Sequence, residues 1–110
     1  MNKSDQNKMK HSLTTQKYVE EALSILRVLY FDLGLSQRTF SEIKSLVHRY
    51  YLKFPDSEIK PPTLVGCITY QVSSINNEHI SISTISRKVG VSTSWLMKKK
   101  GKISTDLNIS

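Results

Sequence analysis

Nine residues near the middle of the chain, LVGCITYQV at positions 64–72, constrain the fold more than any other stretch. They are apolar on nearly every side of a helix, and such a helix belongs at the centre of a bundle. Gly66 and Cys67 are small and let neighbouring helices come close. Without that reason, a glycine inside a helix costs about 1 kcal/mol against alanine. A short apolar run also suits a buried strand, but no second segment offers a partner strand. Pro61 and Pro62 stand where a helix opens, because proline is tolerated in a first turn. The spacing predicts this third helix from about Pro62 to Ile75.

Two amphipathic segments precede it. Val19, Ala22, Leu23, Leu26, Tyr30 and Leu33 recur at three- and four-residue steps, which predicts a helix from about Thr15 to Leu33. Thr14 or Thr15 is the expected cap, and Gly34 the expected stop. Phe40, Ile43, Val47, Tyr50 and Phe54, widened by Leu46 and Tyr51, predict a second helix over about Gln37–Phe54, stopped by Pro55. Residues 1–14 have few apolar groups and read as a mobile N-terminal tail. Residues 73–79 read as a polar connection, and residues 104–110 as a C-terminal tail.

The segment ISTISRKVGVSTSWLMKKKGKI, 82–103, reads as two short helices joined at Gly90, a helix-turn-helix over 83–103. Ile85, Val89, Val91 and Leu96 form its inward face. Ser83 and Ser92 are the expected caps, with Ile82 as a staple. Its charge is lopsided. Residues 79–105 hold six Lys or Arg and no Asp or Glu, whereas the rest of the chain holds ten basic and nine acidic groups. Six of the seven net positive charges therefore sit in this one unit. A basic second helix of this size suits the DNA major groove.

Length and composition bound the alternatives. At 110 residues the chain holds one domain with one modest core. No apolar run approaches a membrane span, and the start MNKSDQNKMKHSL has no apolar stretch of a secretory signal. The single cysteine, Cys67, forms no intrachain disulfide and excludes thiolate zinc sites. An intracellular location is expected, in a prokaryotic cytoplasm or a nucleus. His11, His48 and His79 lie too far apart to suggest a metal site, and no metal or other cofactor is expected.

No catalytic constellation emerges, so the chain is not expected to be an enzyme. Asp56 and Glu58 read as solvated loop carboxylates beside prolines, with nothing nearby to split their pKa values. Cys67 reads as a small buried apolar group rather than a nucleophile. The four glycines are isolated and build no phosphate loop. The candidate DNA-binding residues are Arg87, Lys88, Ser92, Thr93, Ser94, Met97, Lys98, Lys99, Lys100 and Lys102. The lysines supply phosphate contacts, the small polar residues reach base edges or phosphates, and Met97 suits a thymine methyl. Consecutive lysines on a helix point in different directions, so at most two of Lys98–Lys100 face one backbone. Trp95 fits a core, DNA or partner contact.

The order of these segments resembles the cyclin-like repeat of transcription factor IIB and of its archaeal counterpart, transcription factor B. PPTLVGCITYQVSSIN at 61–76 is similar to the family's central helix. STISRKVGVSTSWLMKKKGKI is similar to its closing helix-turn-helix, and LRVLYFDLGLSQRTFSEIKSLVHRYY to its first two helices. The resemblance implies an all-α, five-helix cyclin-like bundle that binds double-stranded DNA beside the TATA box and contacts the TATA-binding protein. Ser92, Thr93, Met97 and Lys98 then lie on the DNA-facing side. Met97 stands where the family has arginine, and Lys100 where it has an aromatic residue. One cysteine cannot build the family's zinc ribbon, so an excised repeat, a truncated paralogue or a small regulator of the same fold is expected. The alternative is a cyclin-like interaction module that holds a partner protein in the groove beside its central helix.

Overall fold

The computed structural model describes residues 3–109, with side chains for residues 14–109. Five α-helices follow in order: α1 Lys3–Leu33, α2 Gln37–Lys53, α3 Pro61–Ile75, α4 Ile82–Val89 and α5 Thr93–Leu107. No strand occurs among the described residues. The chain is all-α, as its apolar periodicities require.

α3 is the centre. It packs against each of the other four helices, and Thr63 to Thr69 are all buried. A fully buried Leu or Ile contributes about 1.5–3 kcal/mol through removal of apolar surface from water. Gly66 is what admits the last two helices. A Cβ added there would stand 3.0 Å from Leu96 Cδ2 and 3.3 Å from Val89 Cγ2. Beside it, the Cys67 thiol donates to the Leu96 carbonyl at 3.4 Å.

α1 begins far earlier than the apolar stripe indicates. The segment expected as a tail is helical from Lys3, and Thr14 and Thr15 lie inside the helix instead of capping it. Residues 3–14 contain neither glycine nor proline, so the helix propagates outward from its packed part at one hydrogen bond per residue fixed. Its 31 residues extend about 46 Å at 1.5 Å each, which accounts for the molecule's 50 Å long dimension. Its buried line is Ala22, Leu26 and Leu29, with Tyr18, Val19, Leu23, Tyr30 and Leu33 packed at the edges. Gly34, at φ +64°, ends it. Met1, Asn2 and Ser110, the outermost parts of the two expected tails, lie outside the described residues.

α2 is capped by Ser36, whose side chain accepts the Thr39 amide at 3.1 Å. It buries Ile43, Val47, Tyr50 and Tyr51. The α3–α4 connection begins only after Ile75 and turns through Asn77 and His79, both at positive φ. Glu78 pins it to α2. Its carboxylate accepts the Ser36 amide at 2.7 Å and the Thr39 hydroxyl. The Asn76 side-chain amide adds bonds to Thr39 Oγ1 at 2.8 Å and to Glu42 at 3.1 Å.

α4 starts at Ile82, and its cap is Ser81, not Ser83: the Ser81 side chain accepts the Thr84 amide at 3.2 Å. Ile80 takes the staple position expected of Ile82. α5 runs past Ile103, so most of the expected C-terminal tail is helix. Leu107 continues the buried line of Leu96 and Ile103 one turn on. Arg49 and Lys53 donate to the carbonyls of Leu107 and Asp106, satisfying acceptors that a helix end leaves open.

Candidate nucleic-acid interface

The turn between α4 and α5 is built by three residues. Gly90 is left-handed, at φ +73°, and its amide bonds to the Ser86 carbonyl at 2.9 Å. The Val91 amide reaches the same carbonyl at 3.2 Å, and the Ser86 hydroxyl returns a bond to the Val91 carbonyl. Ser92 then caps α5, accepting the Trp95 amide at 3.2 Å. Ile85 and Leu96 are buried, with Val89 and Val91 packed against them. The two helices are therefore fixed to each other and, through Gly66, to α3.

With Leu96, Ile103 and Leu107 turned inward, helical spacing places Ser94, Lys98, Gly101 and Thr105 on the opposite face. All four are exposed. Ser92 is exposed at the helix start, Met97 is 46% exposed, and Thr93 is half-buried. Gly101 has no packing reason of its own, since a Cβ there would meet nothing within 4 Å.

The basic residues separate. Lys98 lies on the outer face, its ammonium 5.2 Å from the centre of the Trp95 ring. Lys99 is half-buried on one flank, 4.7 Å from the same ring. Lys100 is half-buried on the other flank, 5.4 Å from the Tyr70 ring of α3. Lys102 pairs with Asp106 at 2.8 Å, a hydrogen bond that raises its pKa and keeps it charged. In α4, Arg87 is exposed and Lys88 pairs with Asp32 of α1 at 3.2 Å. The ten residues singled out from the sequence do not form one contact surface. Ser92, Ser94, Met97 and Lys98 share the exposed start and outer side of α5, with Arg87 at the end of α4.

The structure adds residues that linear reading leaves scattered. Trp95 is 43% exposed, so it is not a core anchor. Between the Lys99 flank of α5 and the α2–α3 loop lie two adjoining clefts, of about 480 and about 180 Å³. They share Glu58, Ile59 and Lys99. The larger includes Lys53, Phe54 and Lys102, and the smaller Lys60, Thr63 and Trp95. Lys53 and Lys102 hold their ammoniums 5.4 and 5.8 Å from the Phe54 ring. Lys53 and Phe54 are chain neighbours, but no periodicity signals the Lys102–Phe54 pairing or the clefts, because they join segments some forty residues apart.

No protein-family model, curated protein or solved structure matches the chain.

Groups of other chemistry are sparse. Among the described residues, no cluster of three His, Cys, Asp or Glu could hold a metal ion. Burial pushes the Cys67 thiol up to about 12. Burial also raises Tyr51, whose hydroxyl donates to the Ile59 carbonyl at 3.1 Å. No described helix is long and apolar enough to cross a membrane.

Proposed function

We propose that the chain binds double-stranded DNA through the α4–turn–α5 unit, used as a helix-turn-helix, and that it serves in transcription initiation or its regulation. One observation carries the reading. The capped start and outer side of α5 expose Ser92, Ser94, Met97 and Lys98 together, in a segment with six basic and no acidic residues between 79 and 105. In a helix-turn-helix, the N-terminal part of the second helix faces base edges. Ser92 and Ser94 are short enough for phosphates or base edges, and Met97 offers an apolar contact to a thymine methyl. Lys98 and Arg87 supply phosphate contacts. The resemblance to the closing segment of transcription factor IIB repeats supports the same face, and names the TATA-binding protein as a protein partner to test. Fluorescence anisotropy of a labelled random duplex at several salt concentrations is the direct test. Binding that weakens steeply with salt is expected. Absence of binding at low salt would remove the proposal.

A second reading, a cyclin-like protein-interaction module, is favoured by one groove. Beside α3, Leu46, Val72, Ile75, Leu107 and Ile109 line a cleft of about 430 Å³, and Ile75 is half exposed. Its occupant is an apolar helix or peptide of a partner protein. Alanine at Ile75 weakens that partner and leaves DNA binding unchanged.

A further inference from the structure

The flank of α5 that faces the α2–α3 loop is neither core nor the outer face assigned to duplex DNA. It is a groove with an aromatic ring at each end. Trp95 stands over the smaller cleft, Phe54 over the larger, and Lys53, Lys60, Lys99 and Lys102 lie along it. Each ring already carries two ammoniums within cation–π range: Lys98 and Lys99 on Trp95, Lys53 and Lys102 on Phe54. A basic groove with an exposed tryptophan at one end and a half-buried phenylalanine at the other matches the recognition chemistry of single-stranded nucleic acid, in which lysines follow the phosphates and bases stack on aromatic rings. Duplex DNA does not use such a groove, because its base faces are covered by their neighbours in the stack. The smaller cleft suits one planar base laid on Trp95, walled by Ile59 and Thr63.

We infer that this groove binds a single-stranded segment of nucleic acid, with an unpaired base stacked on Trp95. The inference rests on the nucleic-acid reading of the same basic helix, but uses a different face. Carboxylates also line the groove. Glu58 borders both clefts and Asp56 the larger one, and Asp106 pairs with Lys102. Four lysines against these three carboxylates leave the groove with one net positive charge, and the phosphates run on its lysine side. Lys60 is held in place by Tyr18, to whose hydroxyl it donates at 2.9 Å. Entry of a base displaces the Lys99 ammonium from the ring and frees it for the adjacent phosphate.

Trp95 is the only tryptophan in the chain, so its fluorescence reports this site alone. The experiment titrates the full chain with a short oligothymidylate and, separately, with a blunt duplex of equal length. Tryptophan emission and the anisotropy of a labelled strand are both followed. Binding of the single strand with strong quenching is expected. Trp95→Ala should weaken single-strand binding about 5- to 150-fold, the range for loss of one stacked base, while Trp95→Phe retains most of it. Duplex affinity, which uses the charge of Lys98 and not the ring its ammonium rests on, should change far less than single-strand affinity in both variants, and an unaltered circular dichroism melt verifies that they fold. If the duplex binds but the single strand neither binds nor quenches, the inference falls and the duplex reading stands. The inference also falls if Trp95→Ala binds the single strand as tightly as the parent. Failure to bind either nucleic acid overturns both readings. A single strand that binds and quenches, with no duplex binding, upholds the inference and removes the duplex reading.

Discussion

Two glycines in helices show how one residue type carries opposite meanings. At Gly66 the space for a side chain is already taken by Leu96 and Val89. Gly66→Leu should therefore force α4 and α5 off α3 and destabilise by about 1–3 kcal/mol. At Gly101 the space is open, so Gly101→Ala should stabilise by about 0.5–1 kcal/mol through the unfolded chain and helix propensity. Urea midpoints of the two variants, measured side by side, should move in opposite directions. A Gly66→Leu midpoint no lower than the parent's would mean that α3 is not the centre of the packing, and a lowered Gly101→Ala midpoint would mean that the space at Gly101 is not open. Gly66 was legible in the sequence because its neighbours are apolar on all sides. The openness around Gly101 was not, since only the packed helix shows what a Cβ would meet. Cys67 follows the logic of Gly66. Its thiol is buried, bonded to a carbonyl and pushed up to about 12, so almost no thiolate exists at neutral pH. Alkylation by iodoacetamide should proceed only as fast as the chain opens, and added urea should accelerate it sharply. Fast labelling of the folded chain would place the thiol outside the core.

At the scale of elements, apolar periodicity located the packed part of each helix, and mislaid ends came from competing local chemistry. Ser81 and Ser83 stand two apart in the same serine-rich run, and either can cap a helix. The choice falls to Ser81 because it leaves Ile85 one turn inside, on the buried side of α4. The continuation of α5 to Leu107 was hidden by the lysines between Leu96 and Ile103. The α3–α4 connection was legible only as polar, whereas its carboxylate network joins residues about forty positions apart. Hydrogen bonding from Asn76, then Arg38, holds the Glu42 carboxyl below its ordinary value of 4.5. Burial alone would raise Glu78. The bonds it accepts from Thr39 and Ser36, with the charge of Arg38, outweigh that and leave it lowered as well. A carboxyl lowered in the folded chain stabilises at pH above its unfolded value, and that contribution is lost as pH falls through the folded value. Stability should therefore decline as the medium is acidified below about pH 4.5, the ordinary value of both groups. Urea midpoints across that range should fall less steeply for Glu78→Gln, which keeps an acceptor but has no proton to gain. An identical acid dependence in the variant would show that this link does not contribute to it.

For the whole molecule, the net charge of +7 and its crowding into residues 79–105 were legible from composition, but the direction of each charge was not. Consecutive lysines look equivalent in a sequence, but the helix separates them. Lys98 leaves the exposed outer face and bends its ammonium over Trp95, Lys99 is half-buried over the same ring, and Lys100 lies over Tyr70 on the other flank. Neighbouring residues of identical charge should therefore differ in their effect on duplex binding. Each phosphate neutralised by a cation releases condensed counterions, so log K against log salt falls by about 0.9 per contact. With Lys98, Arg87 and, on release from Asp32, Lys88 in contact, the slope for a random duplex should lie between about −2 and −3. Lys98→Ala should flatten it by about one unit and weaken all sequences alike. Lys100→Ala removes the same charge from the half-buried flank over Tyr70, away from the outer face assigned to the duplex, and should leave the slope nearly intact. Both variants lower the net charge equally, so any difference between them comes from position rather than from the overall field. Equal flattening by the two would mean that the duplex is held by diffuse charge alone. A change with Lys100→Ala and none with Lys98→Ala would turn the DNA to the opposite side of α5.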